Sequence, residues 1–224
     1  MSLIVFDLDG TLVDSRRDLA DSTNEMLESY GARPLPTDEV VAMVGEGAMK
    51  LVARALAAAG LDRPERRDAL ERFREIYNRR LLEHTRPYDG ISEVIRAAVS
   101  RARLAVLTNK PAAPTHRLLE AFDLAMPFSW VIGGDSEFPR KPDPAAVEYL
   151  MAQAGVRAAE TLFVGDSMID VDTARRAGVR MCVARYGFGH LRGDLVLSGA
   201  EIIATQPSDV GTAIDQFLSD RGSR

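Results

Sequence analysis

The feature that most constrains the fold is a series of short apolar runs separated by helix-length segments. Six runs have the length of β-strands, at residues 3–6, 104–107, 130–132, 162–164, 181–184 and 202–204. From residue 104 onward, helical patterns over 111–122, 143–155 and 168–177 lie between these runs. Such alternation is typical of βαβ units, so we predict an α/β core with a mostly parallel sheet.

The first interval between runs breaks this alternation. Between residues 6 and 104 the sequence has almost no strand signal and instead carries helical patterns at 16–30, 38–44, 47–59, 65–84 and 90–100. Asp14-Ser15 provides an N-cap at its beginning, and the turn-rich segment 86–90 returns the chain to the core. We therefore predict an inserted α-helical domain, residues 15–85, in a core formed by residues 1–14 and 86–224.

Composition excludes several kinds of partner. The 224 residues include 28 basic and 33 acidic side chains, and this net charge of −5 gives no support for nucleic-acid binding. The longest stretch without a charged residue or histidine, 124–134, contains Pro and Gly and is too short to cross a bilayer. The single cysteine, Cys182, lies in an apolar run, and the N-terminus has no leader-like pattern. We expect a cytoplasmic protein with no membrane partner.

Polar motifs follow the predicted strands or open the helices after them. They are Asp7-Leu8-Asp9-Gly10-Thr11, Thr108-Asn109-Lys110, Lys141-Pro142-Asp143-Pro144, and Gly165-Asp166-Ser167 with Asp170. In open parallel sheets, ligands bind outside the carboxyl ends of the strands. We expect these motifs to meet in one crevice.

The residue types in that crevice indicate chemistry on a phosphate. Asp7, Asp9 and Asp166 would repel one another without a cation, and hard oxygen ligands suit Mg²⁺. Thr108, the amides near Asn109 and the Lys141 ammonium group would bind phosphoryl oxygens. We predict a magnesium site and a small phosphorylated metabolite as the substrate.

Two aspartates have predicted roles in the reaction. With a cation offsetting the repulsion between anions, Asp7 would act as the nucleophile and form an aspartyl-phosphate. Asp9, two residues further on, would protonate the leaving alkoxide and then deprotonate the water that hydrolyses the intermediate.

In these motifs the sequence resembles the haloacid dehalogenase-like hydrolases. Asp7–Thr11 matches their first motif, Thr108 the second, Lys141 the third, and Asp166 with Asp170 the fourth. The resemblance implies a Rossmann-like core with an α-helical cap inserted after the first motif. It also implies Mg²⁺ bound by the Asp7 and Asp166 carboxylates and the Asp9 backbone carbonyl, with Asp170 as a further ligand or as a partner of one.

Further stretches, less specific than the catalytic motifs, resemble the phosphoglycolate phosphatases within this family. They lie at 14–15 with 18–20, at 44–47 with 51–52, at 104–111 and at 133–136. The resemblance implies hydrolysis of 2-phosphoglycolate and a cap loop, containing Gly45 and Gly47, that faces the substrate. We interpret residues 186–190, which also match, as a flexible loop near the entrance.

Other activities remain open. A haloacid dehalogenase needs neither Asp9 nor Asp166, and the segment 14–18 lacks the histidine usual in related sugar phosphomutases. A phosphatase for another small metabolite fits the same motifs. A non-enzymatic, phospho-accepting module would need neither Asp9 nor a helical insertion. We expect a monomer or a homodimer.

Overall fold

The computed structural model describes residues 1–61 and 66–220. Its strands are β1 (Leu3–Phe6), β2 (Val13–Asp14), β3 (Arg86–Pro87), β4 (Arg103–Leu107), β5 (Phe128–Ile132), β6 (Thr161–Gly165), β7 (Arg180–Ala184) and β8 (Ile202–Ala204). Six of them form one sheet in the order β5-β4-β1-β6-β7-β8, and each neighbouring pair is parallel. All six predicted strands are present, and the prediction of an α/β fold with a mostly parallel sheet is confirmed.

The helices are α1 (Arg16–Ser29), α2 (Thr37–Val41), α3 (Ala48–Ala58), α4 (Arg66–Arg80), α5 (Ile91–Ala98), α6 (Ala112–Ala121), α7 (Ala145–Ala154), α8 (Met168–Ala177) and α9 (Pro207–Ser219). Two short 3-10 helices span Ala158–Glu160 and Gly189–Arg192. Sequence analysis did not predict α9, although Pro207 at its first turn is a typical start signal. Along the described chain, no helix has both the length and the apolar character that a bilayer crossing requires.

The central strand shows why the short apolar runs form this sheet. All four side chains of β1 are completely buried, with Ile4 and Phe6 in one hydrophobic cluster and Leu3 and Val5 in a second. Successive side chains of a strand point to opposite faces, so the sheet has a hydrophobic core on each side. Helices α5 and α9 contribute to the first cluster, and α7 and α8 contribute to the second. This two-sided covering is Rossmann-like.

Helices α1 to α4 belong to the long insertion between β2 and β3. They pack on one another around buried apolar residues, and the Phe73 and Tyr77 rings of α4 are stacked with 5.6 Å between their centres. Helix α2 is shorter than the predicted 38–44, and α4 ends before residue 84. Glu65, the predicted first residue of the fourth helix, lies outside the described residues.

A two-stranded antiparallel sheet lies where the chain enters and leaves this insertion. Val13 pairs with Pro87, and Asp14 pairs with Arg86. Sequence analysis did not predict these strands because each has only two residues. The pairing brings the two connections side by side, close to the predicted boundaries at 14/15 and 85/86. The division into core and cap domains at these positions stays a prediction.

Candidate active site

A cavity of about 70 Å³ lies between the carboxyl edge of the sheet and the helical insertion. Its core wall contains mostly polar residues, among them Asp7, Asp9, Thr108, Asn109, Lys110, Lys141, Asp166 and Ser167. The opposite wall, which we call the cap wall, consists of Leu19, Val41, Val44, Gly45, Gly47, Ala48, Leu51 and Phe73. The four predicted motifs therefore converge on a single cavity, as the rule for parallel sheets requires.

Asp7 lies at the centre of the core wall. It directly follows β1, and its backbone N–H donates to the carbonyl of Val164 on β6 at 2.9 Å. Its Oδ1 lies 2.7 Å from Nζ of Lys141. Burial raises the pKa of Asp7 to about 7, although Lys141 acts in the opposite direction and Asp170 adds to the rise. Among the described residues, none donates a hydrogen bond to Oδ2 of Asp7.

Lys141 is held between two carboxylates. Besides Asp7, its Nζ contacts Oδ1 of Asp170 at 2.6 Å, and only 2% of the Lys141 side chain is exposed. Burial by itself would lower the pKa of Lys141, but Asp170 and Asp7 raise it above its ordinary value. The ammonium group is therefore charged and fixed beside Asp7.

Asp170 is fully buried at the start of α8. Its Oδ2 accepts hydrogen bonds from the Ser167 backbone N–H at 3.1 Å and the Ser167 hydroxyl at 2.6 Å, while its Oδ1 contacts Lys141. These contacts form a capping box that also orients the lysine. Both Asp170 oxygens are engaged by groups of the protein.

Asp166 follows β6 and packs against glycine. Its Oδ2 accepts hydrogen bonds from the backbone N–H groups of Phe188 at 3.0 Å and Gly189 at 2.7 Å. A Cβ on Gly10, which has a φ of +85°, would lie 1.9 Å from that same oxygen. The close approach explains why the first motif needs glycine. Burial, with further contributions from Asp170 and Asp7, raises the pKa of Asp166 well above its ordinary value.

Residues 186–190 differ from the flexible loop that the sequence suggested. Gly187, Phe188 and Gly189 are buried, and the loop uses its backbone to hold Asp166. Phe188 also lines the cavity. Sequence analysis missed this role because backbone N–H groups leave no signature in residue types.

The acidic residues of the core wall fit a divalent cation. One carboxylate oxygen from each of Asp7, Asp166 and Asp170 lies within 4.8 Å of the others. Buried carboxylates this close together repel one another, and hard oxygen donors of this kind suit small divalent cations. The donor set is therefore compatible with a metal ion, and it does not specify which ion binds.

Asp9 lies apart from this acidic group and is held by two other side chains. Its Oδ1 accepts a hydrogen bond from the Ser15 hydroxyl at 2.6 Å, and Nζ of Lys110 lies 2.9 Å from both of its oxygens. Ser15 occupies the predicted N-cap position of α1, but it makes no capping hydrogen bond with its side chain. The predicted N-cap position is confirmed, and the Ser15 hydroxyl donates to Asp9 rather than to the backbone of the helix.

Thr108 and Asn109 follow β4 at the same edge. The Thr108 hydroxyl accepts a hydrogen bond from the Lys110 backbone N–H at 3.2 Å. The Asn109 side chain joins three segments: its Nδ2 donates to the carbonyls of Gly45 and Lys141, and its Oδ1 accepts from the Lys141 N–H. The Asn109 side chain therefore ties the three segments together.

Gly45 and Gly47 lie in the cavity wall, in the loop between α2 and α3. Their φ values are +121° and +88°, in the region that favours glycine. The loop is joined to the core at Glu46, whose carboxylate lies 3.0 Å from Nη2 of Arg192 and also pairs with Arg54. A further hydrogen bond runs from Arg192 to the carbonyl of Val44 at 3.0 Å.

Two groups of the site, the Lys110 ammonium and the Ser15 hydroxyl, had no predicted role in it. One signal for Lys110 was available. The chain contains only three lysines, Lys50, Lys110 and Lys141, among its 28 basic residues. Two of these three are buried in the cavity wall. Because arginine supplies the other basic residues, each lysine was a candidate for a specific function.

Comparison with known proteins agrees with the geometry. The family model "Haloacid dehalogenase-like hydrolase" matches residues 4–184. A phosphoglycolate phosphatase of Rhodospirillum rubrum is 44% identical over 194 residues, which cover 83% of this chain and 80% of that protein. A phosphoglycolate phosphatase of Pseudomonas fluorescens Pf-5 is 42% identical, with coverage of 85% and 71%.

A solved structure extends the similarity to the three-dimensional fold. The crystal structure of a predicted phosphoglycolate phosphatase from Haemophilus somnus 129PT matches with a TM-score of 0.88 and 31% identity, and the match covers 95% of this chain and 97% of that one. The chain therefore belongs to the haloacid dehalogenase-like hydrolases and is, as its sequence predicted, a hydrolase of phosphoric monoesters.

Proposed function

We propose that this protein is a Mg²⁺-dependent phosphatase that hydrolyses 2-phosphoglycolate through an aspartyl-phosphate on Asp7. The observation that carries the proposal is the arrangement of Asp7, which has one oxygen 2.7 Å from Lys141 and shares an acidic cluster with Asp166. A buried carboxylate beside a fixed cation and a cation-binding cluster is suited to attack a phosphate.

In the first half-reaction, Oδ2 of Asp7 attacks phosphorus. A bond forms between that oxygen and phosphorus while the bond from phosphorus to the glycolate oxygen breaks. Asp9 enters this step in its protonated form and donates that proton to the leaving oxygen, which departs as the hydroxyl of glycolate. The Lys141 ammonium group stabilises negative charge on the phosphoryl oxygens during this transfer.

In the second half-reaction, Asp9 accepts a proton from water, and the water oxygen attacks phosphorus. The bond between phosphorus and Asp7 breaks, which releases inorganic phosphate and restores both aspartates. The same carboxyl group thus serves as acid and then as base, so no further titrating residue is needed.

Three groups of this chain would hold the magnesium ion: the carboxylates of Asp7 and Asp166 and the backbone carbonyl of Asp9. When bound, Mg²⁺ offsets the repulsion between the Asp7 carboxylate and the phosphate. Asp170, whose two oxygens contact Lys141 and Ser167, orients the lysine in this proposal. Thr108 and backbone amides near Asn109 bind the remaining phosphoryl oxygens.

The size and lining of the cavity support a small substrate. Ligand pockets for drug-sized molecules typically enclose about 300–1,000 Å³, whereas this cavity measures about 70 Å³. Its cap wall is apolar and offers no rows of hydroxyl-binding groups that a sugar would use. The names of the two curated relatives support the same choice, because both are phosphoglycolate phosphatases.

The decisive experiment measures phosphate release from 2-phosphoglycolate beside sugar phosphates, nucleotides, pyrophosphate and an aryl phosphate. Each assay is run with Mg²⁺ and with a chelator. We expect a Mg²⁺-dependent kcat/KM for 2-phosphoglycolate at least ~10-fold above the rest of the panel. Equal rates across the panel would contradict the assignment of 2-phosphoglycolate as the substrate. Phosphate release that is insensitive to the chelator would contradict the proposed dependence on Mg²⁺.

A further inference from the structure

Lys110 is the buried cation of the cavity wall that the proposed reaction does not use. Its Nζ lies 2.9 Å from both oxygens of Asp9 and 4.7 Å from the ring centre of Tyr77 on α4. Only 5% of its side chain is exposed. A charge so well removed from water is retained in a fold only with close partners, and the carboxylate of Asp9 is that partner.

The backbone of Lys110 is fixed as firmly as its side chain. Its N–H donates to the Thr108 hydroxyl at 3.2 Å, and its carbonyl accepts from the N–H of Gly134 at 2.8 Å. The Lys110 side chain therefore begins at a fixed backbone position, just after the end of β4, and reaches across the cavity wall to Asp9. A rigid support of this kind determines where the ammonium group lies.

The contacts of Asp9 define the orientation of its carboxylate. Oδ1 accepts from the Ser15 hydroxyl and from Lys110, and Oδ2 accepts from Lys110. A carboxylate held at both oxygens cannot turn freely about its Cβ–Cγ bond. A proton donor must lie within hydrogen-bonding reach of its acceptor, so this orientation matters for proton transfer.

We propose that Lys110 is a positioning residue whose ammonium group fixes the Asp9 carboxylate for proton exchange with the leaving group and with water. The inference rests on the proposed function, because it assigns Lys110 a role through the acid and base of that reaction. Lysine suits this role because its compact ammonium group contacts both oxygens of Asp9 at 2.9 Å while only 5% of the side chain is exposed.

The first experiment compares leaving groups in Lys110→Met, with Lys50→Met as the matched control. Lys50 is the chain's remaining lysine and is exposed on α3. With 2-phosphoglycolate, whose alkoxide needs a proton, we expect kcat of Lys110→Met to fall about 10- to 100-fold. Its KM should change less than threefold, and Lys50→Met should match the wild type.

An aryl phosphate separates the two half-reactions. Its leaving group departs without a proton, so phosphoryl transfer to Asp7 in Lys110→Met should keep its wild-type rate. Hydrolysis of the phosphoenzyme needs Asp9 as a base and should slow. We expect a burst of about one phenol per enzyme and an aspartyl-phosphate that accumulates after acid quench. A loss of purely structural origin would slow both steps and give no burst.

A double-variant cycle tests whether Lys110 acts through Asp9. In the Asp9→Asn background, Lys110→Met should reduce single-turnover rates by less than threefold further, because the group that it positions is already gone. A further loss of 10-fold or more would overturn the proposal. A rise in KM for 2-phosphoglycolate with kcat unchanged would also overturn it, because Lys110 would then bind substrate.

Folding is checked by circular dichroism and thermal unfolding for every variant. If Lys110→Met does not fold, Lys110→Gln and Ser15→Ala replace it, since each removes part of the support of Asp9. Both variants should show the same burst, and their kcat should fall less than that expected for Lys110→Met. Wild-type kinetics in both would overturn the proposal. Failure of the proposed function is separate: the wild type itself would then form no phosphoenzyme from any phosphate ester.

Discussion

The two walls of the cavity differ in chemistry and in origin. The core wall presents Asp7, Asp9, Asp166, Lys110 and Lys141, all from segments that follow the sheet strands or open the helices after them. Among the residues that the structure describes, the cap wall presents apolar side chains and glycine, from α1 to α4 and the loop between α2 and α3. The charged side chains of the cavity and the apolar side chains that limit its size therefore come from different parts of the chain.

This difference indicates how a single reaction can be combined with different substrates. The core wall is held by hydrogen bonds and ion pairs among its own members, together with contacts to the insertion such as the hydrogen bond from Asn109 to Gly45. The cap wall sets the size and shape of the cavity. In an apolar pocket, one methylene group more or less on the substrate changes the discrimination between substrates by only about 1–3 kcal/mol. Substitutions in the core wall should therefore affect every substrate, whereas substitutions in the cap wall should change the preference among substrates.

The largest effect is expected from Asp7→Asn. The amide cannot serve as the nucleophile, so turnover of every phosphate ester should fall by about 10⁴-fold or more, and no phosphoenzyme should form. Phosphate release and acid-quenched mass spectrometry measure these two quantities. Asp215→Asn, an exposed change on α9, is the control. Turnover of Asp7→Asn within 100-fold of the wild type would remove Asp7 as the nucleophile.

The next largest effect is expected from Lys141→Met. Its loss leaves Asp7 and Asp170 without their cation, so kcat/KM for all substrates should fall about 10²- to 10³-fold. The free energy of unfolding should fall by about 3–5 kcal/mol, because one partner of a buried ion-pair group is removed. Urea denaturation and a substrate panel measure both effects. A loss confined to one substrate would contradict the division of roles between the walls.

A smaller effect, and one of a different kind, is expected from Leu51→Ala in the cap wall. Leu51 is 3% exposed and lines the cavity from α3. The change should cost about 2–4 kcal/mol of stability and should raise kcat/KM for a bulkier ester such as glycerol phosphate, relative to 2-phosphoglycolate, by about 10-fold.

Ile214→Ala is the matched control for this experiment, because Ile214 on α9 is equally buried and lies outside the cavity wall. It should lose similar stability without any change in the ratio between the two substrates. If both variants changed the ratio equally, the cap wall would have no special part in selection.

The smallest effect is expected far from both walls, at Glu201. Its carboxylate lies 2.8 Å from Nη2 of Arg175 and also accepts a hydrogen bond from Ser198. These contacts lower the pKa of Glu201 to about 2, and the contact with the Arg175 guanidinium has the largest effect. Because the pKa is lower in the folded state, the stabilisation is present above the ordinary value of 4.5 and is lost as pH falls toward 2.

Glu201→Gln should therefore reduce the free energy of unfolding by about 1 kcal/mol at pH 7, and by less at pH 3. Chemical denaturation at the two pH values measures the difference, and kcat at pH 7 should be unchanged. A destabilisation that grows as pH falls would contradict the assigned ion pair.

Much of the core was predictable because its signals are local. The inner strands β1, β4, β6 and β7 are short apolar runs buried on both faces. Asp7 and Asp166 directly follow two of them, so both aspartates could be picked out without a structure. The strands β2 and β3 and the helix α9 were missed. The first two consist of two residues each and are stabilised by pairing with each other across more than seventy residues of sequence.

The roles of individual groups in the site were less accessible. Ser15 reads as a helix cap, yet its hydroxyl donates to Asp9. Residues 186–190 read as a flexible loop, yet two of their N–H groups hold Asp166. In both cases a generic polar group has several potential partners, and the partner is decided by which segments the fold brings together.

The α/β core, the helical insertion and the residue types of the acidic and basic motifs follow from local patterns in the chain, because hydrophobic periodicity and strand-end position act over a few residues. The contact of Lys110 with Asp9, the contact of Asp170 with Lys141 and the apolar wall of the cavity arise when distant segments pack together. Those contacts join positions from 29 to more than 100 residues apart, and their geometry depends on how the packed helices and strands fix each side chain.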